Sequence, residues 1–196
     1  MRESERVLKF PPLEKLARKL PKAIRGPVVD HVHAVRDLFA QGRLEAARLS
    51  PDRTMKLETA RSIVDTSAAL CTTIAFEPIP LADFPLLTGV QLTMVGGIAY
   101  VSGRELSAKA AAEFVGALGA NFGLGLALRE GSRALLKFFP VFGNAISGAI
   151  AGAGTYALGK AATAYFIEDV SIRDARTMFR RAKKSTLREL APKVDA

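Results

Sequence analysis

The chain has 196 residues, enough for one domain with a sizeable core, and its 28 Lys and Arg against 19 Asp and Glu give a net charge of +9. Aromatic residues make up 7% and Trp is absent, so few side chains can stack on bases, and we expect no nucleic-acid partner. Cys71 is the single cysteine, which excludes an intramolecular disulfide and a Cys-based zinc site.

The positive charge is concentrated at the two ends. Residues 1–25 hold eight Lys and Arg against three acids, and residues 173–196 hold the same numbers. The stretch between them has twelve basic and thirteen acidic residues. An apolar middle between two basic ends is typical of membrane association with both ends on the cytoplasmic side. No secretory signal peptide is recognised, so we expect the protein at the cytoplasmic face of a membrane, with the cytoplasm as the alternative.

The chain divides into three parts by composition. Residues 1–26 form a basic flexible arm broken by prolines, residues 27–170 a helical domain, and residues 171–196 a basic amphipathic C-terminal helix with its tail. A helix is predicted from Pro27 to Gly42. Another is predicted from Ser50 as its cap, with Pro51 in its first turn followed by the acid Asp52, toward Phe76. Ser171–Asp174 has the form of a capping box. Because no segment alternates polar and apolar residues, the fold is predicted to be an all-α helical bundle.

Two long uncharged runs rich in Gly and Ala dominate the middle of the chain, Phe84–Gly103 and Phe138–Gly159. Each has about the 20 residues that a helix needs to cross a bilayer. We expect them to form a hairpin of two apolar helices, with small residues such as Gly96, Gly148 and Gly152 allowing close packing. Whether this hairpin spans the membrane, lies in its interface or forms the core of a soluble bundle stays open at this stage.

Patterns that suggest catalysis are weak. Residues 154–161 resemble a P-loop, but Ala161 replaces the hydroxyl residue and no strand precedes them, so we do not expect nucleotide binding. His31 and His33 lie on different sides of their predicted helix, and Cys71 has no recognisable base. We therefore predict no enzymatic activity, no metal and no cofactor.

Two sets of residues are the candidate sites. One set is expected at helix contacts or near a ligand between the apolar helices: Asp83, Gln91, Gly96, Pro140, Gly143, Asn144, Gly148 and Gly152. Gln91 is the most informative of these, because a polar amide inside an apolar run needs a partner. The other set is cationic and is expected to contact anionic lipid or an acidic partner: Arg180, Arg181, Lys183 and Lys184.

Two blocks resemble a known family. They are Ala75–Met94, continuing through Ala99–Ser107, and Leu136–Asn144, continuing through Thr155–Gly159 and Tyr165–Phe166. Over about residues 60–167 the chain resembles the YcjF-like domain of unknown function, a bacterial helical domain often found C-terminal to an Era-like GTPase domain. The motif positions of this resemblance are Asp83, Gln91, Pro140, Gly143 and Gly159.

The resemblance implies a bacterial origin and a working link to GTPases or membranes, and it supplies no catalytic residues. Because these 196 residues carry no GTPase motifs, it implies a separately encoded GTPase partner. We therefore expect a non-enzymatic, membrane-associated helical module that acts with such a GTPase or with anionic lipid. The alternative is a soluble helical bundle that binds a lipid or another apolar ligand between its Gly-rich helices.

Overall fold

The computed structural model describes residues 42–76, 83–104, 108–118 and 140–190. These residues form an all-α bundle without strands, as the sequence predicted. The helices in this part of the chain are α1 Arg43–Leu49, α2 Arg53–Phe76, α3 Asp83–Val101, α4 Ala108–Leu118, α5 Pro140–Phe166 and α6 Ile172–Leu190.

Local capping residues explain where several helices begin. The backbone N–H of Thr54 donates to Asp52 Oδ1 over 2.8 Å, so Asp52 caps α2, two residues later than the cap predicted at Ser50. At α6, the N–H of Asp174 donates to Ser171 Oγ over 3.2 Å, and the Ser171 hydroxyl donates to Asp174 Oδ2 over 2.7 Å. The capping interaction expected at Ser171–Asp174 is therefore confirmed.

Helix α3 ends in a turn that requires glycine. Gly103 has a φ of 94° and donates its N–H to the carbonyl of Tyr100, while the N–H of Arg104 reaches the carbonyl of Ala99. This pair of bonds is a Schellman motif. Arg104 then pairs with Asp169 over 3.0 Å in the turn between α5 and α6, which fixes the end of α3 beside the end of α5.

Long-range contacts give the directions of the three long central helices. Gln91 of α3 contacts Thr155 of α5, and Arg104 contacts Asp169, so both pairs are offset by about the same number of residues and α3 and α5 run parallel. Helix α5 is antiparallel to α2, its most extensive partner. The two apolar helices are thus neighbours but do not form the expected hairpin with each other.

The first apolar run is buried within the protein along much of α3, whereas Ile150 of the second run is 40% exposed. Residues 93–101 of α3 are buried on all sides, against α1, α2, α4 and α5. A helix that is apolar all round is explained by such burial. The core cluster includes residues of all six helices, from Leu44 of α1 to Ala175 of α6. Among the described residues, no helix combines the length and the apolar character needed to cross a membrane.

Some predictions lie outside the described residues. They concern the basic arm 1–26, the helix predicted from Pro27, and the two histidines. Helix α1 was not predicted: Gly42, expected to end a helix, instead precedes one, with a φ of 67°. The seven residues of α1 bury Leu44 and Ala47 against the core.

Candidate functional site

Three polar side chains meet where α2, α3 and α5 come together; we call them the polar bridge, formed by Cys71, Gln91 and Thr155. Gln91 Nε2 donates to Thr155 Oγ1 over 3.0 Å. The side chain of Thr155 is also hydrogen-bonded to Cys71. Because Thr155 accepts from Gln91, its own hydroxyl proton is available to the Cys71 sulfur, so one hydroxyl links three helices.

Burial controls the chemistry of the thiol in the polar bridge. Cys71 and Thr155 are fully buried, while Gln91 is half-buried. Burial raises the pKa of Cys71 from 9.0 to about 12, and the hydrogen bond from Thr155 opposes this rise only in part. The thiol is therefore neutral at physiological pH, which makes it a poor nucleophile.

The glycines of α5 allow α2 to approach closely. A Cβ at Gly159 would lie 2.6 Å from Val64 Cγ1 and 3.0 Å from Val64 Cβ. A Cβ at Gly152 would collide with Thr72 Oγ1. The space that glycine leaves at these two positions is thus filled by side chains of α2, on either side of Thr155.

The structure describes the surroundings of four of the eight residues in the first predicted set. Gln91 lies at the contact of α3 with α5, and Gly152 at the contact of α5 with α2. Gly96 and Gly148 are buried. Asp83 is the first residue of α3, and Pro140, Gly143 and Asn144 belong to the first turns of α5, but their surroundings lie outside the described residues.

Residues 154–161, which resemble a P-loop, lie inside the continuous helix α5. A phosphate-binding loop presents free backbone amides at the start of a helix, whereas amides inside a helix are already bonded to the preceding turn. Lys160 is exposed, and its Nζ lies 5.5 Å from the centroid of the Tyr156 ring. The surroundings of Lys160 are therefore those of a helix surface.

Helix α6 presents a surface that we call the cationic row, made of Arg173, Arg180, Arg181 and Lys184. All four side chains are exposed. Arg173, Arg180 and Lys184 are separated by seven and four residues, so they lie on one side of the helix, and Arg181 adjoins them. Lys183, the remaining cation of the predicted set, belongs to α6, but its side chain lies outside the described residues.

Arg176 differs from the four exposed cations of the row because it turns toward the bundle. Its Nε donates to the carbonyl of Ala117 over 2.9 Å, and its Nη2 reaches the same oxygen. Ala117 is in the last turn of α4, where carbonyls lack helical partners, so Arg176 caps α4. Sequence reasoning missed both this role and the place of Arg173 in the cationic row, because both depend on how α6 docks.

No group of three or more His, Cys, Asp and Glu side chains suited to a metal ion occurs among the described residues.

No curated protein and no solved structure matches the chain. A family model does match, the Domain of unknown function (DUF697), over residues 41–192. This match covers all six helices and most of the sequence, and the chain belongs to that family.

Proposed function

We propose that the chain is a non-enzymatic, membrane-associated helical module whose bundle presents α6 to an anionic membrane surface. The observation that carries this proposal is the cationic row, four exposed cations on a helix whose other side packs against α4 and α5. Basic clusters attract anionic headgroups with about 1 kcal/mol per charge. We place the protein at the cytoplasmic face of the bacterial inner membrane.

Acidic residues near Arg173 lower the positive potential at that end of the cationic row. Glu168, Asp169 and Asp174 are exposed close to Arg173, and Asp169 is paired with Arg104. The positive potential of the row is therefore greatest around Arg180, Arg181 and Lys184. These are three of the four cations predicted from the sequence to contact anionic lipid or an acidic partner.

The test is sedimentation of the full chain with phosphatidylcholine vesicles that contain or lack phosphatidylglycerol. We expect binding only to the anionic vesicles, weakened by salt. Replacing both Arg180 and Arg181 with Gln removes two charges, or about 2 kcal/mol, so affinity should fall by about 30-fold. The matched control is Arg43→Gln with Arg53→Gln, two exposed arginines outside α6. Equal losses in both double variants would show that net charge, and not the row, determines binding.

A partner is a second part of the proposal. Because the motif blocks around Gln91 and Pro140 resemble the YcjF-like domain, we propose that the chain belongs to that group and acts with an Era-like GTPase. The purified chain, added to such a GTPase from the same organism, should change its rate of GTP hydrolysis or its recovery with anionic vesicles. No change in either quantity would remove the GTPase from the proposal and leave the membrane role standing.

A further inference from the structure

We propose that α6 binds the bilayer as a docked helix: the cationic row contacts the phosphate layer while the apolar side of α6 stays packed in the bundle. This inference rests on the proposed membrane function and adds the mode of binding. It commits to a peripheral, electrostatic contact without insertion of α6 among the acyl chains.

The apolar side of α6 is already packed against the rest of the bundle. Ala175 is completely buried, and Phe179 packs against the core cluster. The guanidinium of Arg176 holds the same side of the helix to the carbonyl of Ala117. An amphipathic helix that inserts into an interface needs its apolar side free. Here insertion would require breaking these contacts, whereas contact through the row leaves them intact.

The cationic row suits a surface of phosphates. Arg173 and Arg180 are two helical turns apart, about 10.5 Å along the axis, and Lys184 follows one turn later. Thr177 lies between them on the same side and is also exposed. Its hydroxyl donates to the carbonyl of Arg173 over 3.2 Å, so the row presents cations to phosphates along one flank of α6. Met178, 38% exposed, lies on the other flank and serves as a marker of depth.

The same row is less suited to a nucleic acid. Proteins that bind single strands combine cations with aromatic rings on which bases stack. The described aromatic rings with assigned partners belong to other helices than α6. Phe114, Tyr165 and Phe166 pack against one another in tilted or edge-to-face contacts, Tyr100 lies beneath Arg48, and Tyr156 lies beside Lys160. Binding of an oligonucleotide through the row is therefore the competing outcome of the test.

The absence of Trp from the sequence makes the experiment simple, because an introduced Trp is the only one. Met178→Trp reports the exposed flank, and Phe179→Trp reports the docked side. Each full-length variant is mixed with anionic vesicles whose acyl chains carry bromine, a quencher of Trp fluorescence. We expect the Phe179→Trp emission to be unchanged on binding, and high salt to release both variants.

Three results would overturn the inference, each in a different way. Quenching of Phe179→Trp would show that α6 leaves the bundle and inserts, which rejects the docked mode but keeps the membrane function. Failure of the chain to bind any anionic vesicle would reject both. Binding to an oligonucleotide that depends on the cationic row, without binding to vesicles, would show that the partner of the row is a nucleic acid and not a membrane.

The unsubstituted chain provides a measurement that does not depend on either Trp variant folding. Membranes carrying the expressed protein are washed with high salt and then with alkaline carbonate. The docked mode predicts release of the protein by these washes. Retention after carbonate would contradict it, because electrostatic contact alone does not survive that treatment.

Discussion

The thiol of Cys71 makes the free energy of unfolding of this protein depend on pH in the alkaline range. Burial raises its pKa to about 12, while in the unfolded chain it ionises near its ordinary value. Above about pH 9 the unfolded state loses this proton and the folded state keeps it, so the free energy of unfolding falls as pH rises. Below that pH the contribution of Cys71 is complete and constant.

We therefore expect the unfolding free energy to fall by up to about 1.4 kcal/mol per pH unit above about pH 9 because of Cys71. Urea denaturation between about pH 8 and 10.5 measures this slope. Cys71→Ser is the control, because a serine hydroxyl does not ionise in this range. Identical pH dependence in the parent chain and in Cys71→Ser would contradict the assignment.

Thr155 is the residue on which the polar bridge depends. Thr155→Val keeps the shape of the side chain but leaves Gln91 Nε2 without its acceptor and Cys71 without its hydroxyl donor. We expect a loss of about 1–3 kcal/mol in the free energy of unfolding. Thr155→Ser keeps the hydroxyl and should restore much of this loss. If the Val and Ser variants were equally stable, the bridge would contribute nothing through its hydrogen bonds.

At the scale of helices, the pairing of α2 with α5 depends on glycines at particular positions. Gly159→Ala places a methyl group against Val64, whose branched side chain has few rotamers with which to move away. Overpacking of this kind costs about 1–3 kcal/mol. Gly154 has no neighbouring atom within 4 Å of the place where its Cβ would be, so Ala there gains about 1 kcal/mol of helix propensity.

The prediction is that these two substitutions, five residues apart on one helix, change stability in opposite directions. Gly159→Ala should lower the denaturation midpoint and Gly154→Ala should raise it. Adding Val64→Ala to Gly159→Ala should recover part of the loss by removing the collision. A midpoint raised by both substitutions would show that α2 does not approach α5 as closely as the structure has it.

Helix ends were more predictable from the sequence than helix partners. The caps at Asp52 and Ser171 and the end of α3 at Gly103 depend on neighbouring residues, which the sequence displays directly. Helix α1 is too short for periodicity to detect. Helices α3 and α5 carry small or apolar residues on almost every side, with few exceptions such as Gln91 and Lys160. Their sequences therefore do not indicate which side of each helix faces which neighbour.

In the candidate site, individual residues were predictable from the sequence but their partners were not. Gln91 was recognisable because an amide in an apolar run needs a partner, but that partner, Thr155, is 64 residues away. The cations of α6 were visible as a cluster. Their division into an exposed row and Arg176, which caps α4, is set by docking against other helices.

At the scale of the whole molecule, one apolar cluster joins all six described helices, with Ala47, Ile98, Phe114 and Leu158 among its members. Helices that share one core are expected to unfold together. Cys71 is not a member of that cluster, and it lies farther along α2 than the cluster's residues of that helix, Ala60, Ile63 and Val64. Its thiol can therefore report whether this region opens independently.

We expect the region around Cys71 to unfold together with the rest of the bundle. Because the chain has one thiol and that thiol is buried, brief labelling by a thiol reagent during urea denaturation counts the molecules in which the region is open. The labelled fraction should follow the loss of helical circular dichroism with the same midpoint. Labelling at lower urea would show that α2 and α5 separate at this end while the core cluster persists, making the polar bridge a locally unstable region.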